Sequence, residues 1–173
     1  MLQPTKPFEE IVGHNVVKND PNAGPVLDIG AIQLIWKAQG EDTGYSFSIF
    51  QMTLLPGYGL PLHKHPFAEF FYVVDGTVDF GRWNDTGTAE WMRCDARASV
   101  LAPPNAPHTF FNKSDQAAQI LSVSTYHHER MLKDAVNPHG QINYLPTELS
   151  PEGFERLFKS MEENQCYIVG DRA

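Results

Sequence analysis

Residues 62–76 read LHKHPFAEFFYVVDG. Within them EFFYVV, residues 69–74, has the aromatic and β-branched content of a buried strand. It runs into Asp75-Gly76 and then TVDFGRW, so the pair predicts a two-residue hairpin, whose type I′ turn takes positive φ at both positions. Outward from this stretch, strand-like runs recur: AIQLIWKA (31–38), YSFSIFQMTLL (45–55), SVLAPP (99–104), HTFFN (108–112) and QILSVST (119–125). The turn-formers QGEDTG, LPGYG, NDTGT, PPNAP and NKSDQ separate them. Short strands at this spacing predict an all-β fold, an antiparallel sandwich or barrel.

The 173 residues are about one domain, and 42% hydrophobic content supplies a core. A net charge of -8 would repel nucleic acid and anionic membrane, so neither is expected as a partner. Cys94 and Cys166 have no CxxC partner, and MLQPTKPFEEIVG has no apolar signal-peptide core. These features predict free thiols and a cytoplasmic protein. Nothing beside Cys94 would lower its pKa, so it is not read as a nucleophile.

Residues 1–29 read as an N-terminal arm with one strand, FEEIVGHNVV, followed by the breaker-rich NDPNAGP. Residues 30–125 hold the barrel. From residue 126 the pattern changes to a helical extension, 126–173, with YHHERMLKDAV as a short helix and VNPHGQINYLPT as a loop. Ser150 predicts an N-cap, with Pro151 in the first helical position and Glu152 at the positive end of the dipole. Phe154, Leu157, Phe158 and Met161 follow helical spacing and predict a stripe packing on the barrel.

Side chains alternate along a strand, so His63, His65 and Glu69 share a face while Lys64 and Phe70 take the other. Two imidazoles and a carboxylate turned into a barrel are costly as bare groups, but they suit a divalent cation. His108, after the turn-rich PPNAP, is placed to reach the same point from another strand. Of the other histidines, His127 and His128 read as surface or capping residues, and His14 and His139 carry no assignment.

GYGLPLHKHPFAEFFYVVDG fits G-x5-H-x-H-x3-E-x6-G at Gly57, His63, His65, Glu69 and Gly76. In RASVLAPPNAPHTFFN, the pattern G-x5-P-x-G-x2-H-x3-N is met by Pro103, His108 and Asn112, with Arg97 and Asn105 in place of its glycines. In these two motifs the chain resembles the cupin superfamily. Asn tolerates positive φ, so the turn at Asn105 is expected to survive, whereas Arg97 predicts a corner built differently.

The resemblance implies a double-stranded β-helix (cupin or jelly-roll) barrel with a C-terminal helical extension. It also implies one metal ion held by His63, His65, Glu69 and His108. The donor set suits Fe, Mn, Ni, Co or Zn, and the absence of thiolate argues against a soft-metal site. Four protein ligands would close a tetrahedral zinc site, so an ion with open positions points to Fe, Mn, Ni or Co, with Zn as a further option.

The pocket wall is expected to be apolar and aromatic. Phe71 shares the parity of Glu69, Phe110 that of His108, and Phe67 lies on the approach. Phe47 and Gln51 share a parity on their strand, whose interior face the sequence leaves open. The site resembles the quercetinase branch of the family, which implies a dioxygenase for a small enol or phenol, with O2 as second substrate and Glu69 as catalytic base. A non-oxidative isomerase, cyclase, dehydratase or decarboxylase is the alternative reading, and a binding module with a structural metal is the third. The resemblance further implies a homodimer.

Overall fold

The computed structural model describes residues 15–28, 32–84, 88–135 and 151–169. Eleven strands, two α-helices and one short 3-10 helix (Gly40–Thr43) follow one another along these residues. They are β1 (Val26–Asp28), β2 (Ile32–Ala38), β3 (Ser48–Leu54), β4 (Gly59–Lys64), β5 (Glu69–Asp75) and β6 (Thr77–Trp83). There follow β7 (Ala89–Asp95), β8 (Ser99–Ala102), β9 (His108–Phe111), β10 (Ala118–Ser124), α1 (Tyr126–Ala135), α2 (Pro151–Glu163) and β11 (Tyr167–Ile168). A six-stranded sheet, β1-β2-β3-β10-β5-β8, faces a five-stranded one, β11-β4-β9-β6-β7, and the pairings are antiparallel.

Alternation along each strand decides what lies between the sheets. On β3, Ser48, Phe50, Met52 and Leu54 are buried; on β10, Ala118, Ile120, Ser122 and Ser124 are. Phe50 and Phe71 from one sheet and Phe80 and Phe110 from the other belong to one core cluster. Each such ring contributes about 2–3 kcal/mol by leaving water. Phe71 lies 5.2 Å from Phe80 and 5.5 Å from Phe110 between ring centroids, which ties the two sheets together.

The Asp75-Gly76 expectation needs correction. Gly76 takes φ 77° while Asp75 keeps negative φ, and β5 and β6 do not pair. The chain turns there from one sheet into the other. A Cβ on Gly76 would approach the Ala118 Cα to 2.9 Å, so the corner needs glycine for close approach as well as for φ. The Arg97 expectation is also corrected: its φ is 76°, the conformation a glycine would supply. Its N–H donates to the Val73 carbonyl at 2.8 Å, so the corner persists with an arginine in a left-handed position. Asn105 likewise keeps positive φ, 63°.

At the N-terminal side, β1 pairs with β2, so the sheet begins before residue 30. The strand expected over FEEIVGHNVV lies mostly outside the described residues, and its last three, 15–17, are exposed and not in a strand. His14, His139, the loop after α1 and the Ser150 cap also lie outside them, as does the side chain of Phe154. On α2, Met161 packs against the core and Ser160 Oγ donates to the Met131 carbonyl at 2.7 Å, but Phe158 is half exposed. The helix therefore seats on a narrower face than its apolar stripe predicts. Beyond it, β11 adds to β4, with Tyr167 opposite Lys64 and Ile168 opposite His63. No helix among the described residues is long and apolar enough to cross a membrane.

Candidate metal centre

His63 stands on β4, His108 opens β9 and Glu69 opens β5, while His65 lies just beyond the end of β4. The β4–β9 register places His63 directly opposite His108. Asn105 N–H donates to the His65 carbonyl at 2.7 Å, which ties the PPNAP turn to the first motif. At the far end of β9, buried Asn112 donates through Nδ2 to the Leu54 and Gln116 carbonyls at 3.0 and 2.7 Å. Its role is thus to close the turn after the strand.

The three rings converge: centroids lie 4.4 Å apart for His63 and His108, 4.8 Å for His65 and His108, and 5.6 Å for His63 and His65. One ring nitrogen from each falls within 4.8 Å of the others, an arrangement that can hold a metal ion. Their Nδ1 atoms are all occupied at the backbone, by the carbonyls of Pro61 at 2.8 Å, Phe67 at 2.8 Å and Ala106 at 2.9 Å. A carbonyl can only accept, so each Nδ1 carries a proton, and in a neutral ring Nε2 then holds the free lone pair. Nε2 of His65 and of His108 is buried with no hydrogen-bond partner among the described residues. Uncompensated acceptors gathered in a dry site are unfavourable, and a cation supplies the missing partner.

Glu69 is buried, with Oε2 3.4 Å from His65 Nε2 and Oε1 accepting from Ser122 Oγ at 2.5 Å. A carboxylate facing an imidazole lone pair fits a site in which positive charge lies between them. Burial works to raise the Glu69 pKa, but the neighbouring His128 and the hydrogen bond from Ser122 outweigh it and hold the carboxyl near 2. Burial, then neighbouring His108, lowers His63 to about 3, and burial lowers His108 as well. Neutral imidazoles beside an ionised carboxylate are the protonation states that bind metal.

Phe67 stacks on the His65 ring at 4.1 Å with planes 13° apart, and the Phe71 centroid lies 6.1 Å from that of His108. Phe110 packs behind Phe71 in the core. Two expected wall residues are corrected. Phe47 precedes β3 and is 42% exposed; Gln51 lies on the face opposite Phe50, its amide donating to Gln119 Oε1 at 3.2 Å. The inward positions of that strand are Ser48, Phe50 and Met52.

The site also includes residues the sequence reading passed over. Ser122 shares the inward parity of Ile120, and that small polar residue amid ILSVST was the available signal. His128, expected at the surface, is buried on α1 with Nδ1 3.7 Å from Glu69 Oε1, while His127 is exposed. Burial lowers the His128 pKa to about 4. Cys166 lies near enough for the Glu69 charge to add to burial in pushing its thiol up to about 12, so in the metal-free protein it is protonated. Burial raises the Cys94 thiol too, in line with its reading as inert.

Comparison with known proteins bears on the fold. The family model described as "Cupin domain" matches residues 50–124. No curated protein sequence matches the chain. Among solved structures, an oxalate oxidase is similar at TM-score 0.54 and 17% identity, covering 69% of this chain and 64% of its own. The chain thus spans just under two thirds of that protein's length. Peruvianin-I, described as a cysteine peptidase from Thevetia peruviana latex, is similar at TM-score 0.50 and 15% identity, over 72% of this chain and 77% of its own. The DMSP lyase DddQ from Ruegeria pomeroyi DSS-3 aligns at TM-score 0.41 and 20% identity, over 47% of this chain and 39% of its own. The fold is a cupin fold with a C-terminal helix, and proteins of differing described activity share it, so chemistry must be argued from the site.

Proposed function

We propose that the protein is a metal-dependent dioxygenase acting on a small apolar or aromatic enol or phenol, with O2 as second substrate. The observation that carries this reading is the convergence of three Nε2 lone pairs beside a buried, ionised carboxylate, against the rings of Phe67 and Phe71. His63, His65, His108 and Glu69 would hold one divalent ion, with Fe, Mn, Ni or Co favoured over Zn. Such an ion, when bound, supplies Lewis acidity that lowers the pKa of a hydroxyl it contacts.

The chain's own residues divide the remaining work. The imidazoles are fixed in tautomer and orientation by their backbone bonds, so they serve as holders and take no proton. Among the described residues Glu69 is the carboxylate beside the three rings, and it would be the group to take a proton from a bound enol or phenol. Ser122 holds Oε1, which limits rotation of that carboxylate. Phe67, stacked on His65, and Phe71, beside His108, make the surroundings of the centre apolar and exclude water, which strengthens electrostatic contacts within. Elemental analysis of purified protein, then O2 uptake against a panel of enolisable aromatic compounds, tests the reading. Turnover with no O2 consumed would move the assignment to a non-oxidative isomerase, cyclase, dehydratase or decarboxylase.

A homodimer is part of this proposal. Phe70, Val74 and Leu101 are exposed on β5 and β8 of the six-stranded sheet, with Phe70 and Leu101 cross-strand partners. They form an apolar row at a sheet edge that a second copy would cover. Light scattering on wild type and Leu101→Glu, with a fall from dimer to monomer mass expected, tests it.

A further inference from the structure

The Cupin domain match ends at residue 124, and His128 lies four residues beyond, in the first turn of α1. Its ring is locked in place. It stacks on Phe67 at 4.8 Å with planes 23° apart, meets the edge of Phe50 at 5.6 Å, and lies 5.6 Å from His65. The backbone N–H of His128 donates to the Thr125 carbonyl at 3.0 Å, and the next residue, buried Glu129, anchors the helix. The Glu129 carboxylate accepts from Gly40 N–H at 2.6 Å and from Lys133 Nζ at 2.5 Å.

Packing alone does not account for a histidine here. Its Nδ1 is buried with no hydrogen-bond partner among the described residues, a cost that phenylalanine in the same aromatic niche would avoid. Where His63, His65 and His108 each spend Nδ1 on a backbone carbonyl, His128 aims Nδ1 at the Glu69 side chain. The atom it faces is Oε1, the oxygen already held by Ser122 Oγ, while Oε2 is the one turned toward His65.

We propose that His128, contributed by the C-terminal extension, is a positioning residue for Glu69. With Ser122 it clamps Oε1 from a second side and so commits Oε2 to the three-histidine centre. The inference rests on the reading of Glu69 as the fourth metal-facing group. It makes α1 part of the site, so that residues 50–124 alone do not complete it.

The test uses the full chain loaded with Co(II), reading the visible absorption spectrum, which reports coordination, and the Co(II) affinity by chelator competition. The variants are Glu69→Ala, His128→Phe, His128→Asn and His128→Gln. An Asn amide overlays Nδ1 of histidine and a Gln amide overlays Nε2. His128→Phe and His128→Gln are expected to shift toward the Glu69→Ala spectrum and to lose about tenfold or more in affinity, while His128→Asn keeps the wild-type spectrum. A purely structural role would not sort Asn from Gln in this way. Should His128→Phe fail to fold, the Asn and Gln pair decides: wild-type behaviour in both, or equal loss in both, overturns the clamp. A shifted Glu69→Ala spectrum beside an unchanged His128→Phe overturns the clamp alone. An unchanged Glu69→Ala, or a wild type that binds no cobalt, overturns the underlying metal reading and the clamp with it.

Discussion

His63 and His108, forty-five residues apart in sequence, are cross-strand partners on β4 and β9 with ring centroids 4.4 Å apart. Their meeting depends on how closely the two strands approach, and at the other end of the ladder, beyond a register shift between Leu60 and His63, Gly59 permits that approach. It pairs with Phe111 in the same ladder, and a Cβ there would lie 2.0 Å from the Phe110 carbonyl oxygen and 2.7 Å from the Phe111 Cα. Both obstacles are backbone, so they cannot rotate away. Gly59→Ala is expected to cost about 1–3 kcal/mol and to weaken metal binding through the displaced β4–β9 pair. Urea unfolding and metal titration measure both. Wild-type affinity alongside a large stability loss would show that the histidines do not depend on this ladder.

The two kinds of site residue should fail differently. Glu69→Ala is expected to lose turnover by about 100-fold or more, as removal of a general base does, while retaining most metal at excess. His63→Ala removes one of three converging lone pairs and is expected to lose both metal and turnover. Elemental analysis beside steady-state rates separates them. Equal metal loss in the two variants counts against a base role for Glu69.

The buried imidazoles make the metal-free protein acid-sensitive. His63, held to about 3, His128, held to about 4, and His108, also lowered, are neutral in the fold and titrate near 6.5 once unfolded. The unfolded chain therefore binds more protons below 6.5. The stability these groups contribute is full above that pH and is lost as pH falls toward their folded values, by at most about 1.4 kcal/mol per pH unit for each. Glu69, lowered to about 2, adds a second loss, between its ordinary 4.5 and that value. Thermal unfolding of chelator-treated protein should be nearly flat from pH 7 to 8 and fall steadily from pH 6.5 to 5. A flat profile over the lower range would contradict the neutral, buried histidines.

Arg97 offers a test away from the chemistry. A left-handed arginine with φ 76° carries a steric cost that glycine lacks. Set against the extra freedom glycine gives the unfolded chain, Arg97→Gly is expected to stabilise by about 0.5–1 kcal/mol, and Arg97→Ala to show no such gain. Urea midpoints compare them, and a destabilised Arg97→Gly would mean that the arginine side chain makes a compensating contact.

By itself the sequence determined the strand succession from residue 32, the inward parity of His63, Glu69 and Phe71, and His108 as the third imidazole. These are local properties: alternation, turn chemistry and motif spacing are written within a few residues of one another. Pairing between distant segments decided the rest. β10 lies between β3 and β5, which fixes the inward face of β3 on Phe50, leaves Phe47 and Gln51 outside, and delivers Ser122 to Glu69. The two strands joined at Asp75-Gly76 belong to opposite sheets, so a local hairpin signal became a corner. His128 reached the centre because α1 folds back over Phe50 and Phe67 and is pinned by Glu129 to Gly40, a contact spanning 89 residues. No periodicity encodes such contacts; they exist only once the two sheets have closed on their shared core.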